Sequence, residues 1–202
     1  MKLFITGIGT DVGKTVCAAV LTNYFKADYW KPVQSGDLHF SDSMKVGQWA
    51  GEKTVCHPET YRFQLAASPH QSAKEEDRHI DLKEFEIPGT QNSLIIEGAG
   101  GLMVPLNDKE CVIDLIEKLD LPVCLVVRNY LGCINHTLLS VMMLRQRNLK
   151  LRYLILNGDF PFDTERIICE KIQPQTTIIR IPEIKTITKE HIERIAKKLE
   201  II

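Results

Sequence analysis

Apolar and polar positions along the chain fall into two alternating patterns. Short continuous apolar runs occur at 2–6 (KLFIT), 93–97 (SLIIE), 122–127 (PVCLVV) and 151–156 (LRYLIL). Those at 93–97 and 122–127 are apolar on both faces, as strands inside a parallel sheet must be. Two weaker runs, Tyr29–Val33 and Thr177–Ile181, read as further strands. Longer amphipathic segments at about 14–26, 42–50, 111–119, 134–147, 163–172 and 188–199 predict helices. In the third, Leu115, Ile116 and Leu119 supply an apolar face that Asp114 flanks. This strand–helix alternation predicts an α/β fold with a mostly parallel sheet, with ligands at the carboxyl ends of the strands. The segment 52–92 interrupts the pattern with Pro58, Pro69 and Pro88. It predicts loops with short elements that cover the sheet edge or the site.

Composition narrows the picture. With 202 residues, 44% hydrophobic and 25% charged, the chain suits one globular domain over 1–202. A disordered chain, a coiled coil and a collagen-like fibre are excluded. Lys plus Arg is 25 against 26 Asp plus Glu, a formal net charge of -1, so nothing draws the whole chain to nucleic acid. No apolar run approaches the roughly 18 residues that cross a bilayer. The N-terminus runs from its short apolar stretch into Gly and Asp without the core of a signal peptide. The cysteines (Cys17, Cys56, Cys111, Cys124, Cys133, Cys169) are scattered without a C-x-x-C pair, so a cytoplasmic, reducing location is expected. Cys124, inside an apolar run, reads as core.

The strongest chemical signal is Gly7-Ile8-Gly9-Thr10-Asp11-Val12-Gly13-Lys14-Thr15. It follows a predicted strand and opens a predicted helix, the setting of a P-loop. Glycines let successive N–H groups curl toward phosphate oxygens, and the helix N-terminus adds partial positive charge. Lys14 is expected to reach the β- and γ-phosphates, and the Thr15 hydroxyl to bind Mg²⁺. Five residues separate Gly7 from Gly13 where the standard motif has four, so the loop is a variant. The fold expected is thus three-layer α/β/α, P-loop NTPase-like. A dinucleotide reading is weaker, because Val12 stands where G-x-G-x-x-G needs its third glycine. A second signal is Leu94-Ile95-Ile96-Glu97-Gly98-Ala99-Gly100-Gly101, an apolar strand ending in an acid and a Gly-rich turn. Glu97 is expected beside the P-loop, holding Mg²⁺ directly or through water.

With these blocks the chain resembles the dethiobiotin synthetase family. The resemblance spans nearly the whole chain. Beyond Gly7–Thr15 it rests on Lys31-Pro32-Val33-Gln34-Ser35-Gly36, Ser41-Asp42, Ser68-Pro69-His70, Glu97–Gly101 and Leu131-Gly132-Cys133-Ile134-Asn135-His136. It implies an ATP- and Mg²⁺-dependent cyclo-ligase that makes the ureido ring from 7,8-diaminopelargonic acid and CO₂. The family forms homodimers with sites shared between subunits. By the same resemblance Lys14 and Lys31 are catalytic cations, Thr10 and Ser35 touch substrate, and Asp42 joins Thr15 and Glu97 at the metal. Thr10 to Val16 and Glu97 to Gly100 cradle nucleotide. Asn157, Gly158, Pro182, Glu183 and Ile184 meet the base. The turn formed by Leu131, Gly132, Cys133, Ile134 and Asn135 takes the substrate carboxylate across the dimer interface. His136 and Cys133 are expected to be structural. Asp11 stands where the family more often has Glu.

Two other readings remain at this stage, a partitioning-type switch ATPase and a small-molecule kinase. The first carries an extra lysine five positions before the P-loop lysine, where this chain has Gly9.

Overall fold

The computed structural model describes residues 1–199 and 201. Its centre is a seven-stranded sheet in the order β4-β2-β6-β1-β7-β8-β9, parallel throughout. The strands are β1 (Lys2–Gly7), β2 (Asp28–Trp30), β4 (Cys56–His57), β6 (Leu94–Gly101), β7 (Val123–Arg128), β8 (Leu151–Asn157) and β9 (Thr177–Ile181). The four central strands β6, β1, β7 and β8 are buried over most of their length, which is why their sequences show no alternation.

Helices cover both faces. α1 (Lys14–Phe25), α2 (Asp42–Ala50) and α7 (Lys189–Lys198) pack on one another. On the other face α5 (Cys133–Gln146) packs on α6 (Phe162–Glu170). Arg147, at the end of α5, pairs with Asp114 and Glu117 of α4 (Val112–Leu119). Crossovers lead one way from β1 to β2 and the other way from β6 through β9. The chain therefore reverses direction around β1, and the loop after β1 opens at that switch point.

One expected strand divides. The run Tyr29–Val33 gives β2 in the main sheet and β3 (Val33–Ser35), which pairs with β5 (Tyr61–Phe63) in a separate two-stranded sheet. Pro32 has no N–H to continue the ladder, and its carbonyl instead accepts from Tyr61 N at 3.0 Å. The chain turns out of the sheet at Lys31. Segment 52–92 contains β4, β5, α3 (Pro69–Glu75) and one 3₁₀ turn at Leu82–Glu84, so β4 adds an edge strand that its sequence did not announce. Trp30, at the end of β2, is 1% exposed and its indole N–H donates to Pro58 O, tying this segment to the core.

Candidate active site

Register carries the site acid to its partners. β1 pairs with β6 so that Ile5 lies opposite Glu97, and β2 pairs with β6 so that Trp30 lies opposite Ile96. Continuing that register sets Lys31 beside Glu97. The Lys31 ammonium lies 3.1 Å from Glu97 Oε1 and bonds Asp42 Oδ2 as well. Thr15 Oγ1 donates to the same Glu97 Oε1 at 2.9 Å, and Tyr29 OH donates to Oε2 at 2.8 Å. Tyr29 of β2, Lys31 just after it and Thr15 of α1 thus converge on one carboxylate of β6 that is 1% exposed, and Asp42 of α2 is joined to it through Lys31.

Burial alone depresses a lysine, yet the charges of Glu97 and Asp42 outweigh it and hold Lys31 above its ordinary value. Burial also works against Asp42, but Lys31 and then Lys45 draw its carboxyl below the usual range. Burial pushes the Tyr29 phenol well up, with Glu97 adding to it, so the hydroxyl keeps its proton. Lys14 is shifted the other way, down, because burial dominates there.

The loop between β1 and α1 curls as an anion cradle requires. Asp11 has φ 58° and Gly13 φ 83°, and no side chain caps the N-terminus of α1. Lys14 Nζ donates to Gly9 O at 3.1 Å, folding the side chain back along the loop. A Cβ at Gly13 would lie 2.2 Å from Asn157 Nδ2, so glycine is required there on two counts. Gly100 closes on the loop from the other side, where a Cβ would meet Val104 and then Thr10 Oγ1.

A cavity of about 440 Å³ lies over these groups, lined among others by Thr10, Lys14, Lys31, Ser35, Asp42 and Glu97. Ser35 Oγ is buried and has no hydrogen-bond partner among the described residues. Asp42 begins α2 behind Ser41, whose side chain accepts from Met44 N, and Gln34 Oε1 accepts from Asp42 N at 3.1 Å. Lys45 and Trp49, on the same helix, also line the cavity, with Lys45 Nζ 3.3 Å from Asp42 Oδ1.

The remaining expected residues lie elsewhere on the rim. Asn157 ends β8, and its Nδ2 donates to Val12 O at 2.9 Å. Gly158 N donates to Ile181 O, and Glu183 pairs with Arg128 at 2.8 Å, which fixes Pro182–Ile184 beside β7 and β8. Leu131–Asn135 belongs to a separate concavity with Asn129, Tyr130 and Thr164, apart from Ser35 and Lys31. There Cys133 is buried, and His136 Nδ1 meets Tyr130 OH at 2.6 Å.

Thr15 bonds Glu97, and Lys31 bridges Glu97 to Asp42, so three residues with hard oxygen donors are held together here. That suits Mg²⁺, which takes one or two carboxylates and leaves room for phosphate. Among the described residues no cluster of three or more His, Cys, Asp or Glu offers a rival metal site.

A family model described as an AAA domain matches residues 1–191. A protein of Cytophaga hutchinsonii named ATP-dependent dethiobiotin synthetase is 45% identical over 98% of this chain and 96% of its own length. The chain belongs to the dethiobiotin synthetase family. A second family protein with that name, from Agrobacterium fabrum, is 40% identical over 94% of this chain and 90% of its own length. The crystal structure of a ParA family ATPase from Chlorobium tepidum superposes with a TM-score of 0.60, at 13% identity and covering 97% of each chain. That likeness shows the three-layer P-loop fold of this chain.

Sequence reasoning passed over Tyr29, Gln34, Lys45 and Trp49. Tyr29 sits in an apolar run and reads as core. Lys45 and Trp49 fall at helical spacing from Asp42, the signal that could have found them.

Proposed function

We propose that the chain closes the ureido ring of dethiobiotin from 7,8-diaminopelargonic acid, CO₂ and ATP. The observation that carries this reading is the placement of Lys31, a buried ammonium between Glu97 and Asp42, in the same cavity as the phosphate loop and the unpartnered Ser35 hydroxyl. A phosphate cradle next to a second fixed cation suits a reaction that joins two anions.

In this reading one amine adds to CO₂ and loses a proton, giving a carbamate. The carbamate oxygen attacks the γ-phosphorus, ADP leaves, and a carbamic–phosphoric anhydride forms. The second amine then attacks the carbamoyl carbon and expels phosphate. Loop N–H groups and Lys14 hold the triphosphate, while Lys31 offsets charge on the carbamate and the transferring phosphoryl group. Ser35 Oγ hydrogen-bonds the substrate. Thr15, Asp42 and Glu97 hold Mg²⁺, which when bound neutralises the phosphate oxygens. Asn157, Gly158, Pro182, Glu183 and Ile184 border the base.

A second copy of the chain completes the site. Leu131 is fully exposed, and Leu139 and Met142 stand 56% and 63% exposed on the α5 face that also carries Asn135. Covering this face with its copy on a partner would bring Leu131–Asn135 to the partner's Ser35 side, where their N–H groups take the substrate carboxylate. The six free cysteines suit a reducing cytoplasm, and no described helix is long and apolar enough to cross a membrane.

The test combines the chain, MgATP, the diamine and bicarbonate. Phosphate release and dethiobiotin should both require diamine and bicarbonate together. A switch ATPase or a simple kinase would release phosphate or ADP without that double dependence.

A further inference from the structure

The Glu97 carboxylate has two oxygens with different surroundings. Oε1 faces Thr15 and Lys31, the groups that line the cavity. Oε2 points the other way and meets Tyr29 OH at 2.8 Å, with Tyr29 0% exposed. Tyr29 does not line the cavity, and its ring lies on the strand next to β6, opposite Ile95. A tyrosine in an all-apolar setting needs a partner for its hydroxyl, and a buried carboxylate needs donors for both oxygens. Each supplies the other's need.

We propose that Tyr29 is a positioning residue for the metal-binding acid: its hydroxyl pins Oε2 and so turns Oε1 alone toward Thr15, Lys31 and the cation. The proposal rests on the reading that Glu97 binds Mg²⁺. Without the hydroxyl, Glu97 rotates about its terminal torsion, which is soft, and Oε1 no longer holds a fixed direction. Lys31 then keeps Asp42 but loses the fixed partner at Oε1 that it shares with Thr15.

Mn²⁺ bound to the enzyme–ADP complex, followed by electron paramagnetic resonance, reads this directly and without turnover. Tyr29→Phe keeps the ring and should weaken Mn²⁺ about tenfold, the scale of one buried hydrogen bond to a charged group. Glu97→Gln should weaken it further, and the double variant should match Glu97→Gln alone, because Tyr29 acts through that carboxylate. Losses that add in the double variant, or Mn²⁺ binding by Tyr29→Phe equal to wild type, overturn the role of Tyr29 while leaving Glu97 at the metal. Wild-type Mn²⁺ binding by Glu97→Gln overturns both. The wild-type protein gives a further check should Tyr29→Phe not fold: loading the ADP complex with Mg²⁺ should shift a buried-tyrosine band in the near-ultraviolet difference spectrum. A flat tyrosine region there overturns the proposal.

Discussion

Asn157 reaches across the sheet rim and binds the backbone of the phosphate loop, its amide nitrogen 2.9 Å from the carbonyl of Val12. The contact joins the end of β8 to the turn before α1, so the base-side strand and the phosphate side are mechanically one unit. Asn157→Ala should therefore raise the Michaelis constants for ATP and GTP together, about five- to tenfold, by loosening the loop. A change confined to the ATP/GTP ratio would show that base contact outweighs the tether.

Gly13 is constrained by the same contact. Gly13→Ala forces a side chain into φ 83° and into the Asn157 amide. The strain costs about 1–2 kcal/mol before the clash is counted. Nucleotide affinity measured by calorimetry should fall at least tenfold, and the melting temperature should drop.

In the proposed reaction Lys31 and Lys14 supply fixed positive charge where phosphoryl transfer needs it. Lys31→Ala and Lys14→Ala should each lower kcat by about a hundredfold or more. Lys31→Ala retaining wild-type turnover would remove it from the reaction.

The Lys31–Asp42 pair also sets a pH response. The folded value of Asp42 lies below its ordinary 3.8, so its stabilisation is full above that pH and fades as pH falls through the folded value. Lys31 is raised, so its share is full below 10.5 and fades only at more alkaline pH. Lys31→Met leaves Asp42 without its main partner. Stability followed by circular dichroism should then be lower than wild type at neutral pH and should fall less as pH drops, because the share that fades with Asp42 protonation is already gone.

The proposed sharing of the site between two copies makes a genetic prediction. In that reading Lys31→Ala and Asn135→Ala damage opposite sides of one composite site. Co-expressed in equal amounts, they should form mixed dimers with one intact site each, restoring about a quarter of wild-type activity. No recovery, or a chain that runs as a monomer in light scattering, argues against sharing.

Much of the fold could be read from the chain because its strands are buried on both faces and its helices are not. The P-loop, Glu97 and the order of elements follow from that contrast. Tyr29–Val33 misled because Pro32 interrupts a run that hydropathy treats as continuous. β4 could not be seen, since two residues at an edge carry no period. In the site, motif spacing reached Lys14, Thr15 and Glu97, the family resemblance added Lys31 and Asp42, and the fold gathers all five in one place. It did not reach Tyr29 or Gln34, because their partners come from a register and a turn that exist only after folding.

The two tryptophans occupy opposite settings: Trp30 is sealed in the core and Trp49 borders the nucleotide cavity. Their emission should therefore separate into a blue, unquenchable part and a part that iodide or a bound ligand alters. The chain carries its own optical reporter of site occupancy, free of any added dye.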